Sequence, residues 1–281
     1  MLDLITAPDF NRYDLSRAWA GCLPACPLQW FDQVDSTNNA LKRQAQSSTA
    51  VSRQWYAAAA SAQTAGRGRQ GRSWTSAAGR SICCSLMYLP DQSAADLSAL
   101  TLIAGLACCE ILQTSVPGLS GLGLKWPNDL MIGKQKLGGI LCETGFSQGK
   151  VHHLVIGFGI NVNQLSFPPD LADRACSLLS VTGQPADPNI LAAACAQKIT
   201  TMTSRYLAGG ADFEPFRNAY KQHCLLLQQP VEVQISGEQV ARGLAVDIAS
   251  DGSLVLACKR ESGASTRQTI RFGEAHIGKL P

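Results

Sequence analysis

The chain has 281 residues, 46% of them hydrophobic and 16% charged, with 25 glycines and 13 prolines; this is the balance of a folded globular protein, not of a disordered or fibrous one. The net charge of +3 is too small to imply nucleic-acid binding by itself. The most apolar uncharged stretch, Leu97 to Cys109, falls short of the roughly 20 residues of a membrane span, and Met1 to Phe10 holds two aspartates instead of a basic leader, so a cytoplasmic protein without a membrane span is expected.

Residues 1–28 form a lead-in with Pro24 and Pro27 and a short helix around Leu15 to Ala20. Trp30 to Val34 reads as a strand, and Asp35-Ser36-Thr37-Asn38 as a capping cluster before a helix over Ala40 to Gln46. Trp55 to Ser61 fits a buried strand, the glycine-arginine run Gly66 to Arg72 follows, and Ile82 to Leu89 fits another strand. Ser93 to Asp96 resembles a capping box at the head of an apolar helix that runs to Leu112 and is closed by Pro117-Gly118. Strands over Leu122 to Trp126, Leu130 to Ile132, Lys136 to Glu143 and His152 to Asn161, joined at Gly133-Lys134 and Gln148-Gly149, predict an antiparallel meander. Leu191, Cys195, Ile199, Met202 and Tyr206 recur at helical spacing, as do Phe213, Phe216 and Tyr220. From Leu225 onward, Val231 to Ile235, Val240 to Asp247, Ser253 to Leu256 and Thr269 to Phe272 predict a small β-barrel. The expected organisation is an extension over 1–28, a main domain over 29–224 and a β domain over 225–281.

Eleven cysteines stand singly or as neighbours, without the C-x-x-C pairs of a zinc site, and are expected to be reduced core residues. Cys22 and Cys26 come nearest to a metal-type pair, but no second pair supports them.

The most informative segment is Gln63 to Trp74. Gly66, Gly68 and Gly71 satisfy G-x-G-x-x-G, but Ser76 to Arg80 is polar and turn-like and leads into a strand, whereas a dinucleotide fingerprint opens a helix. Arg67, Arg69 and Arg72 instead suit a mobile loop surrounding an anion, because guanidinium forks bind phosphate and carboxylate oxygens bidentately. An RNA-binding Gly-Arg segment and a purely structural hairpin are the competing readings.

Pro127 turns Asn128 and Asp129 out of a strand that also carries Lys125, and Gly138 and Gly139 thin the apolar strand that begins at Lys136. Lys136 reads equally as a ligand contact or as a solvated hairpin charge. Gly157 and Gly159 alternate in a strand ending at Asn161, where a β-bulge or a nearby ligand would each explain them. Together these clusters describe a pocket for a ligand with an anionic part and a flat apolar part.

Asp35 to Asn38, Gln63 with Gly66 to Arg72, Lys125 to Leu130, Lys136 to Leu141 and Gly157 to Asn161 resemble, in order and rough spacing, the motifs of the biotin protein ligases, over about residues 30 to 275. The resemblance implies an α+β fold: a class II synthetase-like mixed or antiparallel sheet flanked by helices, with a small C-terminal SH3-like β-barrel. It implies ATP-dependent activation of biotin to biotinyl-5'-AMP, with Mg²⁺, and transfer to a lysine of the biotin carboxyl carrier protein of acetyl-CoA carboxylase. Ser36, Thr37, Asn38 and Gln63 would then meet the polar end of biotin. Arg67, Gly68 and Arg69 would form the biotin and adenylate loop, beside Gly138, and Lys136 would contact the reacting carboxyl and α-phosphate oxygens. Lys136, Arg67 and Arg69 would be catalytic. Asn161 would lie near the adenine with Trp74 as a stacking surface, and Arg72, Lys125, Asn128 and Asp129 would face the phosphates, with Mg²⁺ near Asp129.

Residues 1–29 are too short for the winged helix-turn-helix of the repressor members, so no DNA-binding function is expected, and Gln70 replaces an arginine of some relatives. A lipoate or octanoate protein ligase or transferase of the same fold, and a non-catalytic nucleic-acid-binding module, are the alternatives. A homodimer through a free sheet edge is left open.

Overall fold

The lead-in contains one true helix, α1 (Arg12–Cys22), started by Asn11, whose side chain accepts from the Asp14 N–H at 3.0 Å. It is longer than predicted, because Leu15 and Trp19 are buried on its inner face against α5 (Pro188–Ala208). This computed structural model describes residues 7–46, 53–90, 97–147, 150–235, 237–259 and 265–278. The predicted Ser93 to Asp96 capping box and the Gln148-Gly149 turn lie outside them.

Seven strands form the main sheet: β1 (Leu28–Val34), β2 (Trp55–Gln63), β3 (Ser81–Tyr88), β4 (Leu122–Lys125), β5 (Asp129–Ile132), β6 (Gln135–Ser147) and β7 (Lys150–Asn161), in the order β1-β2-β3-β7-β6-β5-β4. The predicted meander is β4 through β7, each strand antiparallel to the next. β1 and β2 are parallel, which requires a crossover, and α2 (Thr37–Ala45) supplies it.

The small residues of β2 are explained by its two faces. Tyr56 and Ala58 pack with Ala40, Leu41 and Ala45 of α2, while Ala57 and Ala59 face the larger core on the other side. That core is filled by α3 (Leu100–Ser115), buried around most of its circumference as its sequence predicts, and packed on α5 and on α6 (Glu214–His223). A short helix, α4 (Leu178–Thr182), was not expected. Its start is a reciprocal cap between Ser177 and Ser180, a pairing the usual Ser-x-x-Glu pattern does not reveal.

A second, five-stranded antiparallel sheet follows: β8 (Pro230–Ile235), β9 (Glu238–Ile248), β10 (Leu254–Lys259), β11 (Ser265–Ile270) and β12 (Glu274–Ile277), in the order β11-β10-β9-β8-β12. The four-residue β12 is too short to show a period, and it folds back onto β8. Val231, Val233, Ala245, Ile248 and Leu254 join the same continuous core as the main sheet. Trp126, between β4 and β5, donates to the Gly252 carbonyl at 3.0 Å, and Arg217 of α6 reaches the Asp247 carboxylate of β9 at 2.8 Å, fastening the second sheet to the main unit.

All eleven cysteines are free and most are buried. Burial pushes the thiols of Cys26 and Cys109 up to about 12. Among the described residues, no cluster of three or more metal-ligating side chains exists, and no helix is long and apolar enough to cross a membrane.

Candidate active site

The N-terminus of α2, the β2–β3 loop, the head of β6 and the tail of β7 surround one cavity of about 550 Å³, within the usual range for sites that enclose a small organic ligand. Its floor is polar and buried. The predicted capping cluster does not cap: Ser36 occupies the N-cap position without a side-chain bond. Asp35 turns outward instead, where hydrogen bonds from Arg43 at 2.8 and 2.9 Å hold its carboxyl well below the usual carboxylate range. Thr37 and Asn38 are thereby left to line the cavity. The Thr37 N–H donates to Gln63 Oε1 at 2.8 Å, the Thr37 and Ser85 hydroxyls meet at 2.7 Å, and Ser85 donates to Asn38 Oδ1 at 2.6 Å.

The glycine-arginine run is a tight hairpin, with the Gly68 N–H bonded to the Arg72 carbonyl at 2.7 Å and the Trp74 N–H to the Gly66 carbonyl at 2.9 Å. A side chain at Gly66 would overlap the Trp74 carbonyl. The mutual repulsion of three clustered arginines is relieved by protein groups. Arg67 pairs with Glu143 at 3.1 Å and with Asn39, and Arg72 pairs with Glu274 of β12. Arg69 is held by neutral oxygens, Asn128 Oδ1 at 3.2 Å and the Gly273 carbonyl at 3.3 Å, so its charge remains available to an anion. Burial lowers its pKa, opposed by the Asp129 carboxylate. Even so, a guanidinium starts high enough to stay charged.

Opposite the loop, Lys136 pairs with Asp129 at 2.5 Å. Its backbone is clamped on both sides, its N–H by the Arg174 carbonyl at 2.7 Å and its carbonyl by the Cys176 N–H at 3.0 Å. Asn128, which follows the cis Trp126–Pro127 peptide, donates to the Ile140 carbonyl at 3.2 Å and presents its oxygen to Arg69. Asn161 lines the cavity and donates to the Cys176 carbonyl.

The glycines have separate reasons. β7 runs through Gly157 and Gly159 in regular register with β3, so the bulge reading fails. A side chain at Gly157 would overlap the Asn38 amide, and a Cβ at Gly159 would lie 2.7 Å from the Trp74 indole. Both glycines therefore admit cavity-lining side chains. Gly139 lines the cavity, but Gly138 does not: its missing Cβ makes room for the Gly159 carbonyl, at 2.6 Å, within the sheet.

Ser36, Thr37, Asn38, Gln63, Arg67, Gly68, Arg69, Arg72, Trp74, Asn128, Lys136 and Asn161 are thus brought together. Gly138, Lys125 and Asp129 fall outside the lining. Lys125 lies behind it, where burial lowers its pKa against the opposing pull of Asp129, and Asp129 is engaged by Lys136. A Mg²⁺ cage of protein groups alone does not fit, because among the described residues Asp129 belongs to no group of three or more metal-ligating side chains and its carboxylate is already paired with Lys136. The sequence reading missed Ser85 and Glu143, and also Phe167, Leu171 and Arg174, which close the far end of the cavity. Ser85 carried a usable signal, a polar residue in the middle of the apolar run Ile82 to Met87, whereas the 165–175 segment has no periodicity to read.

The α+β unit thus carries, on its mixed sheet, one cavity with a polar floor and a cationic rim. Residues 30–161 match the Biotin/lipoate A/B protein ligase family. The chain is 32% identical over 197 residues to the biotin--[acetyl-CoA-carboxylase] ligase of Mycobacterium tuberculosis, covering 69% of this chain and 70% of that one. It is 31% identical over 194 residues to the bifunctional ligase/repressor BirA of Salmonella typhimurium, where the match spans 69% of this chain and 59% of the relative. Among solved structures, the biotin protein ligase of Aquifex aeolicus in complex with biotin and ATP superposes with a TM-score of 0.73 at 26% identity, over 90% of this chain and 99% of that chain. The chain belongs to the biotin protein ligase family.

Proposed function

We propose that this cavity activates biotin with ATP and transfers the biotinyl group to a lysine of a biotin carboxyl carrier protein, that of acetyl-CoA carboxylase being the expected acceptor. The observation that carries the reading is the meeting, in one cavity, of a neutral hydroxyl-and-amide floor with a cationic rim of Arg69 and Lys136. The floor suits a buried ureido ring, whose donors and acceptors need partners. The rim suits a carboxylate and phosphates, and the relative from Aquifex aeolicus, solved with biotin and ATP, supports the pairing.

In the first step a biotin carboxylate oxygen attacks the α-phosphorus, the bond to the β-phosphate oxygen breaks, and pyrophosphate leaves. Anion attacking polyanion needs its repulsion cancelled, and Arg69 and Lys136 stand where they would do so. Mg²⁺ brought in with the nucleotide would supply further neutralisation. In the second step the acceptor lysine's neutral amine attacks the acyl carbon, AMP leaves with the bonding electron pair, and the amine proton passes to solvent. The loop hairpin and the 165–175 segment would shield the mixed anhydride from water. Within this reading the second sheet is an SH3-like barrel, the main unit ends near residue 224, and the enzyme works in the cytoplasm.

The test is transfer to a purified carrier domain with MgATP and biotin, read by intact mass. A gain of one biotinyl group, lost when the target lysine is replaced by arginine, is expected. An unmodified carrier, with no enzyme-bound adenylate, would refute the proposal.

A further inference from the structure

Glu143, on β6, stands at the edge of the cavity floor and is absorbed by none of the roles above. Three groups bond to it. Its Oε2 accepts from Asn38 Nδ2 at 2.8 Å; its Oε1 accepts from Lys42 at 2.9 Å and pairs with Arg67 at 3.1 Å. His153, on the neighbouring β7, lies near enough for the Glu143 charge to act on it, opposing the burial that lowers its pKa. Burial alone would raise the Glu143 carboxyl, but the hydrogen bonds from Asn38 and Lys42 and the charges of Lys42 and Arg67 outweigh it, so the group is ionised.

An ionised carboxylate can only accept, and this has consequences along the floor. Asn38 must present Nδ2 to Glu143, so its Oδ1 faces inward as an acceptor. Ser85 spends its one proton on that oxygen at 2.6 Å. The 2.7 Å contact between Ser85 and Thr37 then takes the Thr37 proton in preference to Gln63 Oε1, which lies farther off at 3.2 Å and already accepts from the Thr37 N–H. Every hydroxyl proton in the row points toward Glu143, and Asn38, Ser85 and Thr37 are all at most 4% exposed, so the direction is set by these protein partners. The lone pairs left on the two hydroxyls are what the floor offers to a ligand.

We infer that Glu143 is a positioning residue that sets substrate specificity: through Asn38 it directs the hydroxyl row so that the floor accepts from a head group bearing N–H donors, and through Arg67 it holds the hairpin over that floor. This rests on the biotin reading and deepens it. A ureido ring supplies the required donors, whereas a dithiolane or alkyl head would leave buried lone pairs unpaired, the kind of mismatch a polar site rejects most strongly.

The test uses the whole protein in three forms, E143Q, N38D and the double variant, with isothermal titration of biotin and of MgATP separately and competition by octanoate. E143Q keeps the shape, but its amide can turn either way and no longer fixes the row. Biotin affinity should fall about tenfold or more, as for loss of a charged hydrogen bond, with MgATP affinity nearly unchanged and discrimination against octanoate reduced. N38D places two carboxylates face to face and should be worse. The double variant restores a donor at 143 and an acceptor at 38 that still takes the Ser85 proton, so it should regain much of the biotin affinity that N38D loses. A purely structural role would predict additive losses instead.

Unchanged biotin affinity in E143Q, equal losses for biotin and MgATP, or a double variant no better than N38D would overturn the inference while leaving the ligase reading intact. Wild-type protein that binds no biotin would overturn both. If E143Q does not fold, S85A cuts the same row one link further on and must show the same biotin-selective loss; unaltered discrimination in S85A would equally defeat the inference.

Discussion

Two glycines on the neighbouring strands β6 and β7, Gly138 and Gly159, one register step apart, should respond in opposite ways to the same one-carbon change. A Cβ at Gly159 would sit 2.7, 2.8 and 3.0 Å from Cε2, Cζ2 and Nε1 of Trp74, and the indole can yield only toward the cavity it lines. A Cβ at Gly138 would sit 2.6 Å from the Gly159 carbonyl and 3.1 Å from Leu130 Cδ1, inside the sheet with no cavity to relax into. Overpacking of this size costs about 1–3 kcal/mol. For Gly159→Ala the strain should be felt when ligand fills the space the indole has entered, weakening nucleotide binding by about 5- to 150-fold. For Gly138→Ala it should be felt in the fold itself, lowering Tm by about 3–10 °C with little change in ligand affinity. Calorimetric melting and titration of MgATP into both variants measure the two quantities. A Gly159→Ala variant that binds MgATP like wild type, or a Gly138→Ala variant that keeps its Tm but loses nucleotide, would refute the assignment of one glycine to the site and the other to the sheet.

Lys136→Met should abolish adenylate formation and also lower stability by about 1–2 kcal/mol, because the buried oxygen of Asp129 loses its partner; adding Asp129→Asn should restore the Tm but not the activity, and restored activity would contradict the role of Lys136. Glu143 titrates below its usual value in the folded protein, so its contribution is present above the unfolded value of about 4.3 and is lost as pH falls through the folded value. The Tm of E143Q should therefore vary less than that of wild type below about pH 4.5, and parallel curves would contradict the ion-pair account. Of eleven free cysteines, Cys22, Cys142 and Cys258 alone are part-exposed, so a thiol reagent at neutral pH should titrate at most three in the native protein and all eleven after denaturation.

The fold was legible where a period or a turn residue marked it. β4 to β7 announce themselves by short apolar runs with glycine turns, and α3 and α5 by long apolar stretches, because those elements bury most of what they carry. α4, β12 and the 165–175 segment were not legible, since each owes its form to tertiary partners: a Ser–Ser cap, pairing with β8, and the backbone clamp on Lys136. The site was legible as a set of residues but not in its internal pairing. Three clustered arginines looked like three anion ligands, yet Glu143 and Glu274, 76 and 202 positions away from Arg67 and Arg72, take two of them. Likewise Gly138 and Gly139 are indistinguishable in sequence, and only the strand register assigns one to the sheet and the other to the cavity.

The most direct test of the account is mass spectrometry of the protein after incubation with MgATP and equal amounts of biotin, lipoate and octanoate. Biotinyl-5'-AMP retained on the enzyme, without the other two adenylates, is the predicted result. Lipoyl- or octanoyl-AMP in its place would contradict the reading of the cavity floor, and the absence of any adenylate would contradict the reading of Arg69 and Lys136 as the groups that bring carboxylate and phosphate together.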